Sequence, residues 1–188
     1  MNHDQYDDSY IRGILNTVKT IAMVGASAKD NRPSYFAFKY LAERGYDMIP
    51  INPGLAGKEL LGRKIYGRLA EVPEPIDMID VFRASNYALP IVQEALALTP
   101  KPRVIWMQLT VRNDEAAALA EANGVKVVMN RCPKIEYGRL SSEIGWIGVN
   151  SRTLSSKRAQ IFGKGVQRMS LGGGLVRSLP ARQGEKSG

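Results

Sequence analysis

The segment TIAMVGASAKDNRPSYFAFKYLAERG, residues 20–45, decides the fold. It opens with a short apolar run, Thr20 to Val24, turns at Gly25, and continues as an amphipathic stretch from Pro33 to Arg44. A buried strand, a tight turn and a helix in this order form the first half of a βαβ unit. The proline suits the first helical turn, and Gly45 suits a left-handed C-cap.

The same alternation of apolar runs and amphipathic stretches continues along the chain. It predicts further strands at Asp47 to Ile51, Met78 to Val81, Val104 to Met107 and Lys126 to Met129. It predicts further helices at Ser9 to Asn16, Tyr87 to Leu98 and Asn113 to Ala122, with Gly124 as a C-cap. The glycine-rich stretch Asn52 to Leu69 predicts a loop and a short edge strand near Lys64 to Tyr66. We therefore expect an α/β fold with an open, mainly parallel sheet of five to six strands and helices on both faces.

Length and charge indicate one domain with a distinct C-terminal region. From Arg139 to Gly188 there are nine Lys/Arg and two Glu, a net of +7, which leaves about +1 of the total +8 for residues 1–138. We expect a single domain over 1–140, an arm over 141–162 that packs on it or on a second subunit of a homo-oligomer, and a basic, flexible tail over 163–188. The tail has few aromatic residues, which favours a solvated tail over a nucleic-acid-binding one.

Several classes of protein are disfavoured by the composition. The N-terminus is acidic and polar, unlike a secretory signal, and no apolar run approaches the roughly 20 residues that span a bilayer. Cys132 is the only cysteine and His3 the only histidine, so neither an internal disulfide nor a metal site is expected. We expect a cytoplasmic protein without membrane attachment.

The first strand–turn–helix unit also predicts a ligand site. Parallel strands open a crevice at their carboxyl ends where the strand order reverses. There, the turn Gly25-Ala26-Ser27 precedes a helix N-terminus, which favours an anion, and Lys29, Arg32 and Ser34 can add hydrogen bonds. The alternative is that the glycine only makes a tight turn.

The kind of nucleotide depends on the end of the second strand. An NAD site has a G-x-G-x-x-G motif and an acidic residue about 20 positions later, and both are missing. The second strand ends with the neutral sequence Pro50-Ile51-Asn52-Pro53. A neutral strand end tolerates a 3′-phosphorylated ribose, which a carboxylate would repel, so coenzyme A (CoA) is favoured over NAD.

Seven blocks of sequence, some of them already discussed, together resemble a known protein family. They are Val24-Gly25-Ala26-Ser27, Arg32-Pro33-Ser34-Tyr35, Gly45-Tyr46, Pro50-Ile51-Asn52-Pro53, Asp80-Val81-Phe82-Arg83, Trp106-Met107-Gln108 and Arg131-Cys132-Pro133-Lys134-Ile135-Glu136. Over roughly residues 10–140 the chain resembles the stand-alone CoA-binding domain family. That family has a Rossmann-like fold similar to the CoA-binding domain of the succinyl-CoA synthetase alpha subunit.

The resemblance implies roles for individual residues. The pyrophosphate would lie against Gly25, Ala26 and Ser27, with Arg32, Pro33 and Ser34 completing the wall. Asn52 and Pro53 would flank the adenosine, and Val81, Phe82 and Arg83 would line the nucleotide pocket. Gln108 and Cys132 would end the last two strands at the same rim. Phe82 is equally consistent with a residue of the hydrophobic core. The position of Arg83, directly after an apolar strand, favours a role in ligand binding.

The chain also departs from the resemblance. The synthetase carries its phosphoryl group on a histidine, and the only histidine here lies in the N-terminal arm, which excludes phosphohistidine chemistry. Thr110 replaces an expected glycine, and Asn130 an expected aspartate. Cys132 lies between Arg131 and Lys134, so a lowered thiol pKa and exchange with the CoA thiol are conceivable, but a buried small residue is the favoured interpretation.

These observations predict a binder of CoA or an acyl-CoA at the carboxyl edge of the sheet, acting as a carrier, sensor or regulatory partner. We identify no catalytic residues, because no nucleophile with its base and no acid–base pair stands out. The alternatives are an NAD(P)-dependent oxidoreductase or acyl-CoA ligase component using the same fold, and a nucleic-acid-binding protein that acts through its tail.

Overall fold

The computed structural model describes residues 1–141, which contain seven strands and five α-helices. The strands are β1 (Thr20–Val24), β2 (Asp47–Ile51), β3 (Glu59–Leu60), β4 (Arg63–Lys64), β5 (Met78–Val81), β6 (Val104–Met107) and β7 (Lys126–Val128). The helices are α1 (Asp8–Thr17), α2 (Pro33–Glu43), α3 (Ala88–Leu96), α4 (Asp114–Ala122) and α5 (Pro133–Leu140). Apart from residue 141, the predicted arm and tail lie outside the described residues. None of the five helices has the length and apolar character needed to cross a membrane.

The sequence predictions hold for the main elements and fail at α5. Each predicted strand of the main sheet is present, with β7 one residue shorter than expected. Gly45 and Gly124 follow α2 and α4 with φ of 83° and 77°, as a left-handed cap requires. Helix α5 was not predicted, because its buried positions mix Glu136 and Gly138 with apolar residues and give no clear helical stripe.

The main sheet has five parallel strands in the order β2-β1-β5-β6-β7. The chain moves outward in one direction from β1 to β2 and then returns to the other side of β1 at β5, so the strand order reverses between β1 and β5. The predicted edge strand near Lys64 to Tyr66 is instead a small antiparallel hairpin, β3–β4, followed by one parallel bridge from Tyr66 to Ile51. The crevice of a doubly wound sheet is expected at the reversal.

Helices cover both faces of this sheet. Alternate strand residues such as Met23 and Trp106 pack with α1, α2 and α5, and their neighbours Ala22 and Ile105 pack with α3 and α4. Strands buried on both faces are mainly apolar, with Asp80 on β5 as an exception, which is why the sequence showed apolar runs instead of alternation. The fold is an α/β, Rossmann-like fold, as predicted.

The N-terminal segment covers the open edge of β7. The Tyr10 hydroxyl donates to the Val127 carbonyl at 3.2 Å, and the Met129 N–H donates to the Tyr6 hydroxyl at 2.7 Å. The two tyrosine rings stack, with centroids 6.0 Å apart. Side chains thus satisfy backbone groups that an exposed edge strand would leave open to pairing with another chain.

Candidate functional site

The turn after β1 is shaped by the close approach of the residues that follow β5. Gly25 has φ of +93°, and a Cβ placed there would lie 2.5 Å from the Phe82 carbonyl oxygen and 3.0 Å from Arg83 Cδ. The N–H groups of Gly25 and Ala26 both donate to the Ile51 carbonyl, at 2.9 and 3.3 Å. Glycine is therefore required by the backbone, and these two amides are already used within the protein. This geometry fits the tight-turn interpretation of Gly25 that the sequence left open.

Two cavities open at the carboxyl ends of the strands, on either side of Arg83. We call the first, of about 840 Å³, the apolar cavity; it is lined by Pro33, Phe36, Ala37, Phe82, Arg83, Ala84, Ser85, Gln108, Leu109, Thr110, Val111, Cys132, Lys134 and Ile135. We call the second, of about 290 Å³, the small cavity; it is lined by Val24, Gly25, Ile51, Asn52, Pro53, Gly67, Arg68, Leu69, Arg83, Tyr87, Pro90, Ile91 and Glu94. Arg83 lines both, so the two cavities adjoin at its side chain.

The structure brings about half of the predicted site residues to these cavities. Pro33, Phe82, Gln108 and Cys132 line the apolar cavity, Gly25, Asn52 and Pro53 line the small cavity, and Arg83 lines both. Phe82 also packs against the hydrophobic core, so it combines its two predicted roles.

The other predicted residues line neither cavity. The side chains of Ala26 and Val81 are buried in the core, so a ligand can meet them only at the backbone. Ser34 is buried in the first turn of α2, whereas Lys29 and Arg32 are exposed and Ser27 is half-buried. The Ser27 hydroxyl accepts a hydrogen bond from the Lys29 N–H at 3.1 Å and so stabilises the turn itself.

Arg83 supplies an unneutralised cation where the cavities meet. Its guanidinium carbon lies 4.7 Å from the centroid of the exposed Tyr87 ring. No carboxylate among residues 1–141 forms an ion pair with it. A cation stacked on an aromatic ring keeps its charge and its outer N–H groups available to an anion.

Asn52 ties the ends of β1 and β2 together. Its side-chain amide donates to the Ala26 carbonyl at 2.7 Å, and its side-chain oxygen accepts from the Gly54 N–H at 3.0 Å. The far wall of the small cavity is charged: Glu94 accepts from the Leu69 N–H at 3.0 Å and lies 3.8 Å from the Arg68 guanidinium. The small cavity thus carries charged groups on one wall, although most of its lining is apolar.

A buried acid–amide pair lies next to the apolar cavity. Asp80 on β5 is fully buried, and the Gln108 side-chain amide donates to both of its carboxyl oxygens, at 2.9 and 3.2 Å. Burial raises the pKa of the Asp80 carboxyl to about 8, an effect that the hydrogen bond from Gln108 only partly offsets. Asp80 fixes the orientation of Gln108, which is the residue of the pair that lines the cavity.

Cys132 is half-buried at the N-cap of α5. Burial raises the pKa of its thiol, and the opposing effects of the Ile135 and Lys134 backbone amides and the Lys134 charge are smaller. The hypothesis of a lowered thiol pKa is therefore wrong, because desolvation exceeds the combined effect of the two backbone amides and the Lys134 charge. Among residues 1–141 no group of three or more His, Cys, Asp or Glu is placed to hold a metal ion.

The sequence missed several residues that line the cavities. Phe36, Leu109 and Ile135 belong to the apolar cavity, and Arg68 and Glu94 belong to the small one. If residues 133–140 had been predicted as a helix, Ile135 would have been placed in its first turn, near the carboxyl ends of the strands. The residues of the small cavity come from connections whose path the sequence does not show.

The two departures from the family resemblance are partners in the structure. Thr110 and Asn130 both have left-handed backbone conformations, with φ of 68° and 53°. The Thr110 N–H donates to the Asn130 side-chain oxygen at 2.8 Å. The expectation of glycine at 110 was thus well founded, because a β-branched residue is strained at this φ.

Comparison with known proteins agrees with this geometry. Uncharacterized protein YneT of Bacillus subtilis (strain 168) is 38% identical over 127 residues, which are 68% of this chain and 91% of that protein. A hypothetical protein of Pyrococcus horikoshii OT3 has a solved structure with a TM-score of 0.69 and 37% identity, covering 74% of this chain and 96% of that one. The alpha subunit of the ADP-forming acetate–CoA ligase I of Pyrococcus furiosus is 31% identical over 80 residues, which are 40% of this chain and only 17% of the subunit.

A family model gives the assignment. The model described as the CoA binding domain matches residues 19–138, which include every strand of the sheet and both cavities. The chain therefore belongs to the CoA binding domain family.

Proposed function

We propose that the chain binds CoA or an acyl-CoA across the two cavities. The adenosine would occupy the small cavity, the phosphates would meet Arg83, and the pantetheine arm would extend into the apolar cavity. The observation that carries this proposal is the pair of adjoining cavities of unequal size that share the side chain of Arg83. A ligand with a charged nucleotide at one end and a long, weakly polar arm at the other matches that arrangement.

The small cavity suits the nucleotide end in charge, because Arg68 and Arg83 outnumber Glu94 in its lining. Asn52 and Pro53 form its wall at the end of β2, and Tyr87 offers an exposed ring. Arg68 adds a second cation, most of whose side chain is exposed, and could meet the 3′-phosphate. Arg83 and the exposed Lys29 and Arg32 near the start of α2 supply positive charge for the diphosphate.

We further propose that the chain acts as a carrier, sensor or regulatory partner without chemistry of its own. Asp80, the most deeply buried acid among residues 1–141, is paired with Gln108, and Glu136 is paired with Arg139 at 2.7 Å. Cys132 has a raised thiol pKa, which disfavours a nucleophilic role.

A ligase component is a second candidate, because the chain matches part of the acetate–CoA ligase subunit. Formation of ATP from acetyl-CoA, ADP and phosphate by the purified chain would favour it. No ATP above the background of a sample without protein is the result expected for a binding protein.

A thermal-shift panel tests the binding proposal. The full chain is heated with CoA, acetyl-CoA, NAD, NADP or ATP, each over a range of concentrations. Ligand at about 100 times its Kd adds roughly 2.7 kcal/mol, which for a chain of this size raises Tm by about 5–10 °C. CoA or acetyl-CoA should give the largest shift. A larger shift with NAD or NADP would instead support an oxidoreductase.

A further inference from the structure

Three large apolar side chains surround the mouth of the apolar cavity without being buried. Phe36 on α2, Leu109 after β6 and Ile135 on α5 are 51%, 48% and 45% exposed. Within residues 1–141 only six large hydrophobic residues are exposed to this degree, and half of them are these three. Their concentration at one opening indicates that something apolar covers them when the site is occupied.

The same cavity contains no acidic residue. Its charged lining residues are Arg83, at the junction with the small cavity, and Lys134 on α5, whose ammonium lies 5.7 Å from the centre of the Tyr40 ring. Gln108 contributes an amide held by Asp80, and most of the remaining wall is apolar. Beyond the junction at Arg83, the wall therefore offers mainly apolar contacts to an occupant, and Lys134 is its charged exception.

We propose that the preferred ligand is a CoA thioester with an apolar acyl group, seated against Phe36, Leu109 and Ile135. This inference rests on the proposed function and specifies the class of acyl-CoA. The volume of about 840 Å³ lies in the upper part of the range of about 300–1,000 Å³ for pockets that take drug-sized ligands. A slender pantetheine arm leaves part of such a cavity for a further group.

An acyl chain is favoured over a second copy of the protein because of where the three side chains lie. They belong to three separate elements and line a cavity that continues to Arg83 and the small cavity. Protein–protein interfaces of ordinary size bury about 800 Å² on each partner, far more than three side chains around an opening provide.

The test is a calorimetric titration of the full chain with CoA and with its acetyl, butyryl, hexanoyl and succinyl thioesters. Each methylene group that becomes buried should lower Kd about fourfold, so hexanoyl-CoA should bind at least about tenfold more tightly than acetyl-CoA. Butyryl-CoA should bind more tightly than succinyl-CoA, which has the same number of acyl carbons but ends in a carboxylate.

Alanine variants of single residues at the mouth of the apolar cavity test where the acyl chain binds. Phe36→Ala and Ile135→Ala should each reduce the ratio of the acetyl-CoA and hexanoyl-CoA dissociation constants by at least about threefold. Both side chains are exposed, so neither substitution should prevent folding. Leu61→Ala is the control, because Leu61 is 48% exposed in the β3–β4 hairpin and lines neither cavity; it should leave the ratio unchanged.

The outcomes separate this inference from the proposed function. If CoA and its thioesters bind with equal affinity, or if succinyl-CoA binds more tightly than butyryl-CoA, the apolar acyl site is wrong while CoA binding stands. A dimer that Phe36→Ala dissociates, together with affinities independent of chain length, would assign the three side chains to a second copy and also overturn the inference. Failure of every CoA compound to bind would contradict the proposed function itself.

Discussion

The two cavities at the rim differ in how their walls are held. Part of the small cavity is formed by backbone turns, with Gly25 close to the Phe82 carbonyl and Asn52 hydrogen-bonded to Ala26 and Gly54. Side chains such as those of Ile91 and Glu94 on α3 form the rest. The apolar cavity is lined by residues of α2, of α5 and of the segments that follow β5 and β6, and the buried pair of Asp80 and Gln108 lies at the strand ends. A wall partly held by backbone turns suits a ligand part that is the same in every thioester, and a wall of side chains suits a part that varies.

The largest expected effect concerns the buried acid on the apolar side. The Asp80 carboxyl ionises near its ordinary pKa of 3.8 when unfolded but keeps its proton up to about pH 8 when folded. Between these values the folded state holds one more proton, so the free energy of unfolding should fall as pH rises, by up to about 1.4 kcal/mol per pH unit. Asp80→Asn should remove this slope, as measured by urea unfolding at pH 5, 6.5 and 8.

A surface carboxyl provides the control for this experiment. A hydrogen bond from Arg139 lowers the pKa of Asp8, so its titration falls below the window tested. Asp8→Asn should therefore leave the slope between pH 5 and pH 8 as it is in the parent chain. Equal slopes in the parent and Asp80→Asn chains would contradict a protonated Asp80.

The second prediction concerns the backbone wall of the small cavity. Gly25→Ala should lower the free energy of unfolding by about 3 kcal/mol, because it adds left-handed strain of about 1–2 kcal/mol to an overlap with Phe82. Gly57→Ala is the control, since Gly57 has φ of +81° and open space around its Cβ position. The Gly57→Ala variant should lose only the part of the free energy of unfolding that comes from left-handed strain. Equal losses in both variants, measured by chemical unfolding, would mean that the Phe82 carbonyl does not constrain the turn.

Arg83 tests whether the two cavities act together. Arg83→Gln should weaken CoA binding by about 10- to 100-fold, the usual range for a hydrogen bond to a charged group. Arg103→Gln makes the same charge change at the opposite edge of the sheet, where Arg103 pairs with Asp77 at 2.8 Å, and should leave the Kd for CoA unchanged. Similar calorimetric affinities of the parent chain and the Arg83→Gln variant for CoA would show that the phosphates do not bind at this junction.

The smallest effect is expected at Thr110, in the wall of the apolar cavity. Thr110→Gly relieves left-handed strain of about 1–2 kcal/mol, and the extra freedom of glycine in the unfolded chain offsets about half of this. Thermal unfolding should show a net gain of about 0.5–1 kcal/mol. A loss of stability would show that the hydrogen bond to Asn130 depends on the threonine.

Sequence reasoning was most successful where one local pattern determines one element. Strands β1, β2, β5 and β6 follow from apolar runs, and the caps at Gly45 and Gly124 follow from glycine chemistry. Helix α5 was not predicted because its buried face includes the acidic residue Glu136. Ion pairs with Arg131 and Arg139 make the burial of this carboxylate tolerable. Such pairing depends on tertiary contacts that no local pattern reveals.

The candidate site was predicted only in part for a similar reason. Strand ends predicted the rim, and Arg83 was identified from its position directly after an apolar strand. The phosphate site expected at Gly25 stays a prediction, and the Phe82 carbonyl, which occupies the direction of a Cβ, gives this glycine a structural cause as well. The mouth of the apolar cavity joins residues nearly 100 positions apart, such as Phe36 and Ile135, which sequence spacing cannot bring together.

The most direct measurement is a crystal structure of the full chain with bound CoA. We expect the adenine in the small cavity, the diphosphate within hydrogen-bonding distance of Arg83, and the pantetheine arm extending past Gln108 in the apolar cavity. A CoA molecule that occupies only one cavity, or that lies away from Arg83, would contradict the claim that the two cavities form one site.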